Sequence, residues 1–157
     1  MKKTVFVLAV SLLLAAGAWA GDPKPLRPTP KEKCPVCGMF VYKYPDWVTQ
    51  MVFRDGSRLY FDGVKDLMKF HLNPFPYQST KSRPETAAIF VTDYYSLESI
   101  EGTRAYYVIG SDVFGPMGKE LIPFGKEAEA QEFLKDHKGK KILRFQEIAP
   151  EILKTLD

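Results

Sequence analysis

Asp55-Gly56 stands between two runs rich in aromatic and β-branched residues, Trp47 to Phe53 and Arg58 to Phe61. The dipeptide tolerates left-handed backbone angles, so the pattern predicts a β-hairpin closed by a tight type I′ turn. A two-stranded hairpin is barely stable in water, so this one needs a cover. The next residues supply it. Asp62 reads as a helix cap, and Val64, Leu67, Met68 and His71 or Leu72 recur on one helical face until Asn73-Pro74 ends the pattern. Lys81 to Pro84 reads as a loop and Ala88 to Thr92 as a short buried strand. Phe40-Val41-Tyr42 reads as a further strand upstream.

The second half follows the same plan. Arg104 to Ile109 predicts a strand, Gly110 to Gly118 a turn-rich link, Glu120 to Phe124 a strand, Lys126 to Lys138 a helix stopped by Gly139, and Lys141 to Phe145 a last strand. Phe61 and Phe70 stand nine residues apart on a strand and the following helix, and Phe124 and Phe133 repeat that relation. The fold class expected is α+β: two similar ββαβ halves, roughly 34–95 and 102–148, packed as one domain with mainly antiparallel sheet.

The first twenty residues differ in kind. Lys2 and Lys3 precede an almost wholly apolar run, and Ala18-Trp19-Ala20 puts small residues where signal peptidase requires them. Residues 1–20 are expected to be an export signal cleaved before Gly21, with retention as an anchor helix the alternative. The run is short for a bilayer span, and no other segment is apolar enough to be one. No cysteine stands at the cleavage point to carry a lipid. Residues 21–33, with Pro23, Pro25, Pro28 and Pro30 among charges, read as an extended leader outside the core. Without Lys2 and Lys3 the chain keeps 20 Lys+Arg against 19 Asp+Glu. So even a balance excludes the strongly basic face of a nucleic-acid binder.

Both cysteines of the chain lie in Cys34-Pro35-Val36-Cys37-Gly38-Met39. In an exported protein the pair has three readings. It can close a disulfide, structural or redox-active, although a thioredoxin-type pair should lead into a helix and this one leads into a strand-like run. It can supply half of a tetrahedral zinc site, although the only histidines, His71 and His137, lie far apart. It can hold copper(I), which prefers thiolate and thioether sulfur in low coordination. Met39 falls on the same face as Cys37 if the backbone is extended, and Met117 sits in Pro116-Met117-Gly118, an unusual place for an apolar side chain. Both methionines read equally as ligands or as core filling, whereas Met51 and Met68 fall in strand and helix periodicity and read as core. His71 is a metal-nitrogen candidate or a helix-end residue, His137 complements a helix C-terminus, and Asp93 ends a strand in a turn. No phosphate loop, serine elbow or nucleotide fingerprint is present.

Taken in order, Cys34-Pro35-Val36-Cys37-Gly38-Met39, Asp55-Gly56, Phe61-Asp62-Gly63, Val91-Thr92-Asp93-Tyr94, Gly115-Pro116-Met117-Gly118, Pro123-Phe124 and Ala130 to Phe133 resemble the NosL family, described as nitrous oxide reductase accessory proteins. The resemblance covers nearly all of the chain after the export signal, residues 34–157 above all. It implies a non-enzymatic, periplasmic copper(I) metallochaperone of two ββαβ halves. By matching position it makes Cys37, Met39 and Met117 copper ligand candidates, joined by Cys34; His71 is a further donor candidate on its residue type, not by the resemblance. It implies nitrous oxide reductase, or another exported cuproenzyme, as recipient. Many members are lipoproteins, and this chain lacks the anchoring cysteine. The rival functions are a thiol-disulfide redox protein using Cys34 and Cys37 and a disulfide-stapled interaction module without metal.

Overall fold

The computed structural model describes residues 22–78 and 84–157. The expected export signal and nearly all of the Lys81 to Pro84 loop lie outside the described residues. The hairpin forms as β1 (Thr49–Phe53) and β2 (Arg58–Phe61), with Thr49 opposite Phe61 and Val52 opposite Arg58. Its connection is not the two-residue turn expected. Phe53 N–H donates to Ser57 C=O at 2.9 Å, leaving a three-residue loop from Arg54 to Gly56, and Asp55 Oδ1 accepts from Ser57 N–H. The longer loop lets the Asp55 side chain satisfy the backbone that a tighter turn would pair directly.

Helix α1 (Val64–Leu72) follows, and β3 (Thr86–Thr92) returns to pair antiparallel with β1. β4 (Ser99–Glu101) extends the sheet, giving the order β2-β1-β3-β4. The second half builds β5 (Tyr106–Ile109), a small hairpin of β6 (Phe114–Gly115) and β7 (Gly118–Lys119), β8 (Ile122–Phe124), helix α2 (Glu127–Asp136) and β9 (Lys141–Arg144). Its main sheet runs β8-β5-β9, also antiparallel. In each half the first strand takes the centre and the helix joins the second strand to the third, so the molecule is α+β. The Phe61–Phe70 rings lie 5.6 Å apart and the Phe124–Phe133 rings 5.0 Å apart, each pair seating a helix on its strand.

Phe40-Val41-Tyr42 is not a strand. Phe40 makes one isolated bridge to Lys33, and Val41–Lys43 is a single 3-10 turn that carries Val41 into the core. The run is short, and Pro45 opens a second 3-10 turn just beyond it, so strand propensity yields to context.

One core joins the halves: Met51, Phe61, Leu67 and Phe70 pack in the same cluster as Tyr107, Leu121 and Leu143. A smaller one beneath α2 gathers Val108, Ile122, Phe124, Ala130 and Phe133. Successive strand residues face opposite ways, so Tyr107 and Val108 place β5 against both. The proline-rich segment lies along the first sheet. The buried Gln50 side chain accepts from Leu26 N–H at 3.1 Å and donates to Leu26 C=O at 3.2 Å, and Arg58 donates to Lys24 C=O at 2.8 Å. Its own Leu26 stays exposed.

The start of α1 is capped from the other half. Its N-cap residue, Gly63, has no side chain to offer, and Asp62 does not take the role. Glu120 Oε1 accepts from Lys65 N–H at 2.6 Å and from Leu121 N–H at 2.8 Å. A Cβ at Gly63 would overlap Glu120 Oε2, so glycine is what admits the carboxylate. Lys65, only 3% exposed, sends its ammonium to the carbonyls of Met117 at 2.8 Å and Leu156 at 3.1 Å.

Burial pushes the Glu120 carboxyl up to about 8 from its ordinary 4.5. The folded state therefore keeps a proton that the unfolded chain releases. The stability this group lends is complete below about 4.5 and declines as pH rises through 8, at roughly 1.4 kcal/mol per unit of displacement. Thermal melts between pH 5 and 9 should show wild-type stability falling more steeply than that of Glu120→Gln, which keeps an oxygen for the two N–H groups. Glu120→Ala orphans them and should cost roughly 2–5 kcal/mol throughout. Parallel pH profiles for wild type and Glu120→Gln would contradict the assignment.

Candidate metal centre

Cys34 to Met39 folds back on itself. Cys34 N–H donates to Met39 C=O at 2.9 Å, Gly38 N–H donates to Cys34 C=O at 2.9 Å, and the Lys33–Phe40 bridge closes the base. Gly38 has φ +80°, a left-handed conformation that favours glycine, so the turn depends on it. The turn aims both thiols at the junction between β2 and α1. Asp62 leaves the end of β2, and Asp66 sits in the first turn of α1 four residues later, which puts the two carboxylates on one side. Cys34 Sγ–H donates to Asp66 Oδ2 at 3.4 Å, and Cys37 Sγ–H donates to Asp62 Oδ1 at 3.3 Å. One donor atom from each of the four residues lies within 4.8 Å of the others.

The cluster is largely shut off from solvent. Cys34 and Asp62 are each 1% exposed and Asp66 2%, while Cys37 is half-buried and forms the mouth. Burial pushes the Cys37 thiol up to about 11, with the Asp62 carboxylate adding to the shift. Burial displaces Cys34 further in the same direction, with Asp66 beside it. Asp66 is itself raised, chiefly by burial. Metal-free, this is a set of protonated thiols resting on carboxylates. A cation entering it would displace the thiol protons.

Of the residues singled out in the sequence, Cys34 and Cys37 meet in this cluster. Met39 closes their turn through its backbone and is half-buried beside them. Met117 is 42% exposed in the turn joining β6 to β7, with its carbonyl held by Lys65, the neighbour of Asp66. The methionine tip is thus anchored to the same helical turn that carries a cluster carboxylate. His71 is not part of the cluster. It lies in the last turn of α1 with its ring edge-on to Phe145 at 5.3 Å. Sequence reading missed Asp62, taken for a cap, and Asp66, not singled out at all. Their four-residue spacing at a strand-to-helix junction was the available signal.

The profile of the NosL family matches residues 25–153. The chain is 29% identical over 130 residues to the copper-binding lipoprotein NosL of Stutzerimonas stutzeri, covering 78% of this chain and 64% of that protein. It therefore spans under two thirds of that relative's length. The crystal structure of the copper chaperone NosL from Shewanella denitrificans superposes with a TM-score of 0.68, covering 83% of this chain and 98% of that one. At 22% identity, that likeness is one of fold.

The raised thiols fix a reactivity order. In the metal-free, reduced protein at pH 8, displacement of Cys37 from 9.0 to about 11 lowers its thiolate fraction about 100-fold. Iodoacetamide should modify Cys37 more slowly than in the urea-unfolded chain by about that factor, and Cys34 more slowly again. Peptide mapping that found Cys34 labelled first would refute this arrangement.

Proposed function

The chain belongs to the NosL family, and from that premise we propose that it is an exported copper(I) carrier rather than an enzyme. The thiolates of Cys34 and Cys37 hold the ion, with the thioethers of Met39 and Met117 as further donors. The observation that carries this reading is the meeting of both thiols in one turn, beside a helix whose first turn also anchors the exposed methionine tip. Copper(I) is soft and accepts two or three sulfur ligands, so thiolates supply affinity and thioethers complete the shell without adding charge. Cys37 at the mouth and Met117 in solvent suit a cargo that leaves by ligand exchange. A partner's donor can enter there before the carrier's donors release.

The relative's description as a copper-binding lipoprotein supports both the cargo and an export route. We place the carrier in the periplasm after loss of residues 1–20. Its recipient is nitrous oxide reductase or another exported cuproenzyme. Among the described residues, no helix is long and apolar enough to cross a membrane. A dithiol redox enzyme fits less well, because its attacking thiol needs a depressed pKa and both thiols here are raised.

Anaerobic competition against a chromophoric copper(I) chelator tests the ligand set. Cys37→Ser should weaken binding by about 100-fold or more, and Met117→Ala by about tenfold, or about 1.4 kcal/mol. His71→Ala should leave binding unchanged. An unaltered affinity for Cys37→Ser would end the proposal.

A further inference from the structure

Beside the base of the cysteine turn lies a patch that the copper(I) reading does not use. Phe40 and Tyr42 are both exposed, with rings 6.2 Å apart. The ammonium of Lys33 lies 4.7 Å from the centre of the Phe40 ring, and that of Lys43 lies 5.8 Å from it. Tyr42 also lines an open cleft of about 590 Å³, together with Leu26, Arg27 and Leu97. The two leucines are 54% and 56% exposed, so neither serves the core. Both are nonetheless held in place. Gln50 bonds the Leu26 backbone at its N–H and at its C=O. Leu97 takes φ +58°, a left-handed conformation that bulky residues seldom adopt. The turn enforces it: buried Asp93 accepts from Tyr95 N–H at 3.0 Å and Ser96 N–H at 2.8 Å, and Leu97 N–H donates to Asp93 C=O at 3.0 Å. Backbone strain spent on an outward apolar side chain fits a contact outside the molecule.

Positive charge gathers at the same face. Residues 22–47 carry five cations, Lys24, Arg27, Lys31, Lys33 and Lys43, against three acids, whereas residues 48–157 carry fifteen against sixteen. All five are exposed, and none forms an ion pair among the described residues. We propose that this face rests on an anionic lipid bilayer, with the leucines and aromatic rings at headgroup level and the cations on the lipid phosphates. Lysine stems lie along apolar surface while their ammonium groups stay in the polar layer, as Lys33 and Lys43 do over Phe40. Two features favour a bilayer over a protein partner. The apolar groups project from three separate segments, the proline-rich segment, the Val41–Lys43 turn and the Asp93 turn, and a fluid surface accepts them without a matching shape. Residues 1–20, apolar in sequence and read above as an export signal, also join the chain only a few residues before Leu26. The contact needs no metal and stands apart from the copper(I) reading.

The test uses the chain as exported, recovered from the periplasm, in sedimentation with vesicles. Vesicles of phosphatidylcholine alone are compared with vesicles carrying about 30% phosphatidylglycerol. Wild type should bind the anionic vesicles, and about 0.5 M salt should release it. Each basic residue near a charged surface is worth roughly fivefold in partitioning, so Arg27→Gln with Lys43→Gln should weaken binding about 25-fold. Leu26→Ser with Leu97→Asn should weaken it about tenfold or more. Asparagine accepts left-handed angles, so the thermal melt of that variant should match wild type. Equal binding to neutral and anionic vesicles, or none to either, would overturn the proposal. So would anionic binding that the leucine variant leaves unaltered, since charge alone would then account for it. Retention on immobilised polyglutamate with none on vesicles would assign the patch to an acidic protein and overturn the bilayer contact.

Discussion

The carboxylate of Glu120 crosses from the second half of the molecule to close the first turn of a helix in the other. A helix start exposes N–H groups that need acceptors, and here the local sequence provides none. Asp62 faces the thiols and Gly63 is bare, so the acceptor comes from 55 residues away. The helix macrodipole favours a carboxylate at that end, and desolvation opposes its charge. The outcome is a carboxyl pushed up to about 8, which keeps its proton at neutrality. Two parts of the candidate site sit on this contact, because Asp66 lies in the turn being capped and Lys65, next to it, holds the Met117 carbonyl.

Each thiol is held against a carboxylate by a hydrogen bond within the cluster. Buried carboxylates accept the thiol protons' hydrogen bonds, and by their charge they discourage thiolate formation. A pair of thiols in this arrangement is poorly nucleophilic and resists oxidation. A cation reverses the balance by replacing both protons and screening the carboxylates. Loading is thereby coupled to proton release, as expected wherever ligands must ionise before they bind.

Much of this was legible in the sequence, and the failures share a cause. The hairpin, both helices and the strand-strand-helix-strand order follow from hydrophobic periodicity and turn chemistry, which are local. The nine-residue phenylalanine relation was readable because both halves use it to seat a helix. Phe40-Val41-Tyr42 looked like a strand because its composition is strand-like, but the neighbouring proline and the folded-back cysteine turn decided otherwise. Asp62 looked like a cap because caps are what such residues usually are. Only the tertiary contact from Glu120 frees it for another use, and no local pattern announces a cap supplied from a distant strand. Asp66 passed unnoticed because a lone acid in a first helical turn is ordinary. Its meaning depends on a turn 32 residues earlier.

The repeated architecture has one more implication. The displacement that carries Phe61 to Phe124 and Phe70 to Phe133 also carries Cys34, Cys37, Asp62 and Asp66 to Leu97, Ile100, Gly125 and Glu129. The correspondence holds in space: the Ile100 side chain rests against Gly125, as Cys37 rests against Asp62. The equivalent positions of the second half thus carry aliphatic Leu97 and Ile100 where the first has sulfur, Gly125 in place of Asp62, and an acid, Glu129, in place of Asp66. Both cysteines lie in the first half, so whatever thiol chemistry the molecule performs is confined to one of two similarly built corners.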